Sequence, residues 1–147
     1  MMKRIIFGLA LISMGFIGSC TKEEVDPDDI TGKNNQQIFM MKTWRSISFT
    51  DSSYNGVIET LSECDKDDQY TFTSTTKYTW KANGVCNPDD ETSKEVSWSM
   101  KDPAGKEVFF FGYTWTIEKI SGTDIILRRR YLDNQANVIT WRMQLIK

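Results

Sequence analysis

Gln69-Tyr70-Thr71-Phe72-Thr73 and, after a short polar break, Lys77-Tyr78-Thr79-Trp80-Lys81 alternate apolar and polar residues without a slip. Alternation with period two puts one set of side chains on each face of a strand, so each run reads as a strand with one wet side. The pattern returns in Glu95-Val96-Ser97-Trp98-Ser99-Met100-Lys101, in Tyr113-Thr114-Trp115-Thr116-Ile117-Glu118 and in Ile139-Thr140-Trp141-Arg142-Met143-Gln144-Leu145. Further strands are expected at Trp44 to Thr50, Val108 to Phe111 and Asp124 to Leu132, which makes about eight. Ser74-Thr75-Thr76, Asn83-Gly84, Asp102-Pro103-Ala104-Gly105, Ser121-Gly122 and Asp133-Asn134 separate them with turn-forming chemistry. Loops this short join antiparallel neighbours, because parallel pairing needs long crossovers, usually helical, and no helical periodicity lies between the runs. One helical turn, Gln36 to Met41, precedes the first strand. The predicted fold is all-β, an eight-stranded antiparallel up-and-down β-barrel in which closure removes exposed edges. A two-sheet sandwich is the rival.

The amino terminus reads differently. Lys3 and Arg4, an apolar run from Ile5 to Ile17 and the small residues Gly18-Ser19 before Cys20 form the three zones of a secretory signal. The apolar run is shorter than the roughly 20 residues that cross a bilayer core, which argues against a transmembrane helix. Ile17-Gly18-Ser19-Cys20 resembles the lipobox of bacterial lipoproteins. That resemblance implies cleavage before Cys20 and lipidation of its thiol. Residues 1–19 are then a cleaved signal peptide, 20–35 an acidic flexible tether with little to bury, and 36–147 one barrel domain. The expected partner is a membrane, gripped by acyl chains at about 0.8 kcal/mol per buried methylene. The expected location is the cell envelope, lipid-anchored at the outer membrane. Lys22-Glu23-Glu24 is similar to acidic export signals that carry some lipoproteins to the outer surface, with a plain solvated spacer as the alternative. The formal charge is −2 and becomes more negative once Lys3 and Arg4 are removed, so there is no electrostatic footprint for nucleic acid.

With Cys20 committed to lipid, Cys64 and Cys86 remain as an even pair in an oxidising compartment, and a disulfide is the natural reading. Trp44 after a helical turn, Glu63-Cys64 with Asp68-Gln69-Tyr70-Thr71-Phe72, Lys77-Tyr78-Thr79-Trp80, Gly84-Val85-Cys86-Asn87-Pro88-Asp89 and Trp98 together resemble the bacterial lipocalin-like lipoproteins, over about residues 38 to 131. The resemblance implies a lipocalin-type barrel and a Cys64–Cys86 bond. It also implies an arginine lying over Trp44, for which Arg128, Arg129, Arg130 and Arg142 are the candidates; Lys42 stands where the family usually has glycine.

The chain has no histidine, which excludes imidazole acid–base catalysis and histidine-ligated zinc. Its cysteines are committed, and it has neither a glycine-rich phosphate loop nor a nucleophile elbow. No enzyme activity and no cofactor are expected. Asp65, Asp67 and Asp68 beside Cys64, and Asp89, Asp90 and Glu91 beside Cys86, read as solvated loop charges, with a weak calcium site as the sharper alternative.

Tyr70, Phe72, Tyr78, Trp80, Trp98, Trp115 and Trp141 share the apolar faces of their strands, so a closed barrel points them inward. They either fill the interior or line a pocket for a small hydrophobic ligand. Arg129 shares its phase with Ile125, Leu127 and Tyr131. It is an inward charge needing an acidic partner, a stacked ring or an anionic ligand, or else a barrel-end side chain reaching water. Two functions follow: capture of a small hydrophobic or amphipathic ligand in the barrel, or a protein-interaction module, such as an enzyme inhibitor or an accessory subunit of an outer-membrane complex, that uses its loops around a solid core. Interior volume separates them.

Overall fold

The structure, a computed structural model, describes residues 26–53 and 56–147; the expected signal peptide and Cys20 lie outside the described residues. Along the chain come α1 (Asn35–Met40), β1 (Thr43–Ser53), β2 (Gly56–Glu59), β3 (Gln69–Phe72), β4 (Lys77–Lys81), β5 (Ser93–Ser97), β6 (Ser99–Met100), β7 (Glu107–Phe110), β8 (Tyr113–Ile120), β9 (Asp124–Leu132) and β10 (Val138–Ile146). The strands form one antiparallel sheet in the order β5-β4-β3-β1-β10-β9-β8-β7-β6, with β2 also paired to β1.

The two ends of this sheet, β5 and β6, are consecutive in the chain and separated only by Trp98. The Trp98 amide donates to the Thr76 carbonyl at 3.0 Å. The sheet therefore comes round on itself as a nearly closed barrel, not a sandwich. Nine strands lie on the path instead of the eight expected, because the run predicted as one strand is interrupted at Trp98. The unforeseen β2 pairs with Thr50 to Ser53 of β1, beyond the point where β3 leaves the same edge at Arg45. All four β2 residues are exposed, so no buried face imposed an alternating pattern on them.

One end is sealed by α1. Its capping box is complete: Asn34 Oδ1 accepts from the Gln37 amide and Gln37 Oε1 from the Asn34 amide, each at 2.9 Å. Six residues are too few for a helix to stand alone, and packing holds this one. Phe39 inserts against Phe72 and Trp98, with ring centroids 5.1 and 5.5 Å away, and its carbonyl accepts from Trp44 Nε1 at 2.9 Å. Asn35 and Gln36 reach the Gly105 and Pro103 carbonyls, joining α1 to the β6–β7 loop. Residues 26–34, assigned by sequence to the tether, lie against this base. Asp28 pairs with Lys42 and Lys147, and Ile30 packs on the core. The cation over Trp44 is Lys42, 6.0 Å from the ring centroid, and none of the four candidate arginines.

The barrel's lower half is solid. Trp44 and Trp98 there, and Trp115 nearer the β7–β8 turn, are at most 1% exposed, and their indole N–H groups donate to the carbonyls of Phe39, Ser74 and Phe110. A buried indole thus brings a large apolar area while leaving no donor unpaired.

Candidate functional site

Opposite α1 the filling stops. A cavity of about 460 Å³ opens among β1, β3, β4, β5 and the loop of residues 60–68, within the size range of small-ligand sites. Its walls are apolar: Phe49, Leu61, Tyr70, Tyr78, Trp80, Val96, Phe111 and Met143. Thr60, Asp65, Asp68 and Lys94 are the polar residues of the lining. Cys64 and Cys86 are bonded, their Cα atoms 5.6 Å apart, and fasten the 60–68 loop to the loop of residues 82–92. The disulfide expected from the cysteine parity therefore holds one rim of the cavity together.

Asp68 organises this wall. Its side chain is buried, with Oδ2 accepting from Trp80 Nε1 at 2.8 Å and Oδ1 from the Asn83 amide at 2.9 Å. Burial raises its carboxyl above the ordinary value, and these two hydrogen bonds only partly oppose the rise. The reading of Asp68 as a solvated loop charge is thus corrected: it orients an indole at the cavity edge. Lys94 lies 5.5 Å from the Trp80 ring centroid and pairs with Glu91 at 3.0 Å. Burial likewise lifts the phenol of Tyr78 to about 12 and that of Tyr70 further, so both stay neutral donors through the physiological range. Among the described residues, no group of three or more acidic or cysteine side chains is placed to hold a metal ion.

Phe111 is held at φ 55° and Gly112 at φ 78° in the two-residue turn between β7 and β8. Two consecutive positive φ values match the twist of a tight hairpin, and glycine adopts them freely. Phenylalanine does so at a cost of about 1–2 kcal/mol. The strained residue puts its half-exposed ring at the cavity mouth, 6.3 Å from Tyr70.

The predicted site residues fall into three groups. Tyr70, Tyr78 and Trp80 line the cavity. Phe72 and Trp98 belong to the packed core toward the base, and Trp115 to packed core beside the cavity, its ring centroid 6.0 Å from that of Phe49. Trp141 and Arg129 form a separate cluster at the same end of the barrel: the Arg129 guanidinium carbon lies 4.2 Å from the ring centroid of Tyr113, 4.8 Å from Tyr131 and 5.0 Å from Trp141. Trp141 Nε1 donates to Asp51 Oδ2 at 3.0 Å. Arg129 is half-buried, its charge set among three aromatic rings.

Phe49, Leu61, Val96, Phe111 and Met143 were not among the predicted site residues. Val96 and Met143 sat on recognised apolar faces and could have been read. Phe49 is an odd number of residues from Trp44, and both face inward because the β1–β10 register slips between Ser46 and Ser48. Leu61 comes from a connection, where periodicity carries no signal, and Phe111, expected to end a strand, lies instead in the turn after β7. Neither protein-family models nor curated proteins match the chain.

Proposed function

We propose that this protein is a non-enzymatic, lipocalin-like lipoprotein of the outer membrane that captures a small hydrophobic or amphipathic molecule in the mouth of its barrel. The observation carrying this reading is the 460 Å³ apolar cavity above a solid lower half. Aromatic and aliphatic walls favour a guest with a large apolar body, and the sparse polar lining offers little to a sugar. Membrane attachment rests on the lipobox at Cys20. Asp28 is docked on the base through Lys42 and Lys147, and a chain from Cys20 to it spans at most about 28 Å, so the base of an anchored molecule stays close to the membrane.

The test uses the full chain carrying Cys20→Ala, purified without detergent and titrated with dodecanol while tryptophan fluorescence is followed. Saturable one-to-one binding that weakens at least tenfold in Trp80→Ala supports ligand capture. No saturable response overturns it.

A specific observation favours a second reading, the interaction module. Val57, Ile58, Phe111, Tyr113, Leu132 and Val138 are exposed on three hairpins at the mouth end. Such an apolar rim suits a protein surface as well as the entrance of a guest. Loss of a co-purifying partner on changing Leu132 and Val138 to Ser, with dodecanol binding unaltered, would favour it.

A further inference from the structure

A positive charge stands near the mouth on β9. Asp51, Trp141 and Arg129 are register partners across β1, β10 and β9, and Phe49, Met143 and Leu127 form the next row toward the base. Phe49 and Met143 line the cavity, and Phe49 also packs on Trp141 with ring centroids 5.6 Å apart. Strand geometry places Arg129 about 8 Å, Cα to Cα, from Met143, one strand over and two residues toward the mouth. A guest whose apolar body fills the cavity therefore has its exposed end within reach of this guanidinium.

Arg129 is available to such a guest. Its neighbours Arg128 and Arg142 pair with Glu118, whereas Arg129 has neither an ion pair nor a hydrogen bond among the described residues. The rings of Tyr113, Tyr131 and Trp141 surround the guanidinium without supplying a hydrogen-bond acceptor, so its N–H donors have no partner among the described residues. Asp51, the nearest acidic neighbour in the row, spends Oδ2 on the Trp141 indole, and its buried Oδ1 has no partner. Of the charged residues that line the cavity, Asp65 and Asp68 would repel an anion, and Lys94 is already paired with Glu91.

We infer that Arg129 is the head-group site of the barrel: the guest is an amphiphile with an anionic head, a carboxylate held by the guanidinium, while its apolar body occupies the cavity. Planar guanidinium and carboxylate match in a two-pronged hydrogen bond, which a neutral head cannot form. This inference rests on the ligand-capture reading, and the experiment separates the two.

The full chain carrying Cys20→Ala is titrated with laurate, dodecyl phosphate, dodecanol and dodecylammonium at neutral pH, in the wild-type barrel and in Arg129→Gln and Arg129→Lys variants. Laurate is expected to bind roughly tenfold or more tighter than dodecanol, the size of one charge-assisted hydrogen bond. Arg129→Gln should erase that ratio while leaving dodecanol binding intact, which also certifies the fold, and Arg129→Lys should restore part of it. Dodecyl phosphate binding more tightly than laurate would overturn the carboxylate assignment. Equal affinity for laurate and dodecanol, a preference for dodecylammonium, or a ratio unchanged in Arg129→Gln would overturn the head-group site and leave ligand capture standing. Failure of all four probes would overturn both.

Discussion

The indole N–H of Trp80 donates to the buried carboxylate of Asp68 at 2.8 Å, coupling a cavity-edge aromatic to a titratable group. The folded-state carboxyl titrates above its ordinary value of 3.8, because burial disfavours the charged form. In the window between the two values the folded chain holds a proton that the unfolded chain has released, so stability falls as pH rises through that window and then levels off. Tryptophan fluorescence should show an inflection above the ordinary aspartate value of 3.8, and Asp68→Asn should abolish it. An inflection that persists in the variant belongs to another group.

Replacing Cys64 and Cys86 together by Ser should lower stability by about 3 kcal/mol in the chain-entropy model, given the sequence separation of 22. Dodecanol binding should weaken as well, since the 60–68 loop supplies Leu61 and Asp65 to the cavity. Denaturant midpoints and the dodecanol titration measure the two effects; an unchanged midpoint would show that the bond contributes nothing.

Core and mouth tryptophans should separate cleanly. Trp115→Ala empties a site with no exposure and should destabilise the barrel by about 3–5 kcal/mol. Trp80→Ala removes a half-buried ring, should cost clearly less, and should impair dodecanol binding. Equal losses of stability in the two variants, read by thermal unfolding, would contradict this division of the interior.

Gly122 lies directly beneath the Asp28 backbone, so that an added Cβ would collide with it. Gly122→Ala should dislodge the segment of residues 26–33 and expose it to protease, with a loss of about 1–3 kcal/mol, typical of overpacking. Gly84→Ala is the control, because its Cβ would meet Cys64 at an ordinary 3.6 Å. Equal protease sensitivity in the two variants would show that the segment is not held there.

Cys20→Ala should move the protein from the membrane fraction into the soluble periplasm. Unchanged fractionation would remove the basis for the lipid anchor.

Much of the fold was readable because half-buried strands write their faces into the sequence. The predicted span Asp124 to Leu132 coincides with β9, and the Tyr113 and Ile139 runs fall within β8 and β10. The reading failed where that period stops. At Trp98 the chain changes partners from β4 to β7, which splits a strand without disturbing its alternation. In β2 no residue is buried, so there was no pattern to read. The Ser46–Ser48 bulge hid Phe49. Of the predicted site residues, Tyr70, Tyr78 and Trp80 line the cavity, whereas Phe72, Trp98 and Trp115 share the same inward phase and pack as core. Phase reports which face a side chain takes, not how far along the barrel the interior is filled.

The amino-acid sequence by itself determined the all-β class and the antiparallel order of neighbours, and, with Cys20 read as the lipidated residue, it pointed to the pairing of Cys64 with Cys86. Each of these follows from local alternation, short connections or the parity of thiols. Only the tertiary structure decided which inward aromatics are core and which are wall, since that depends on α1 sealing one end and leaving the other open. It alone buried Asp68 against Trp80 and set Arg129 among Tyr113, Tyr131 and Trp141. Those contacts join residues that are distant in the chain, brought together by closure of the barrel, and no local pattern encodes them.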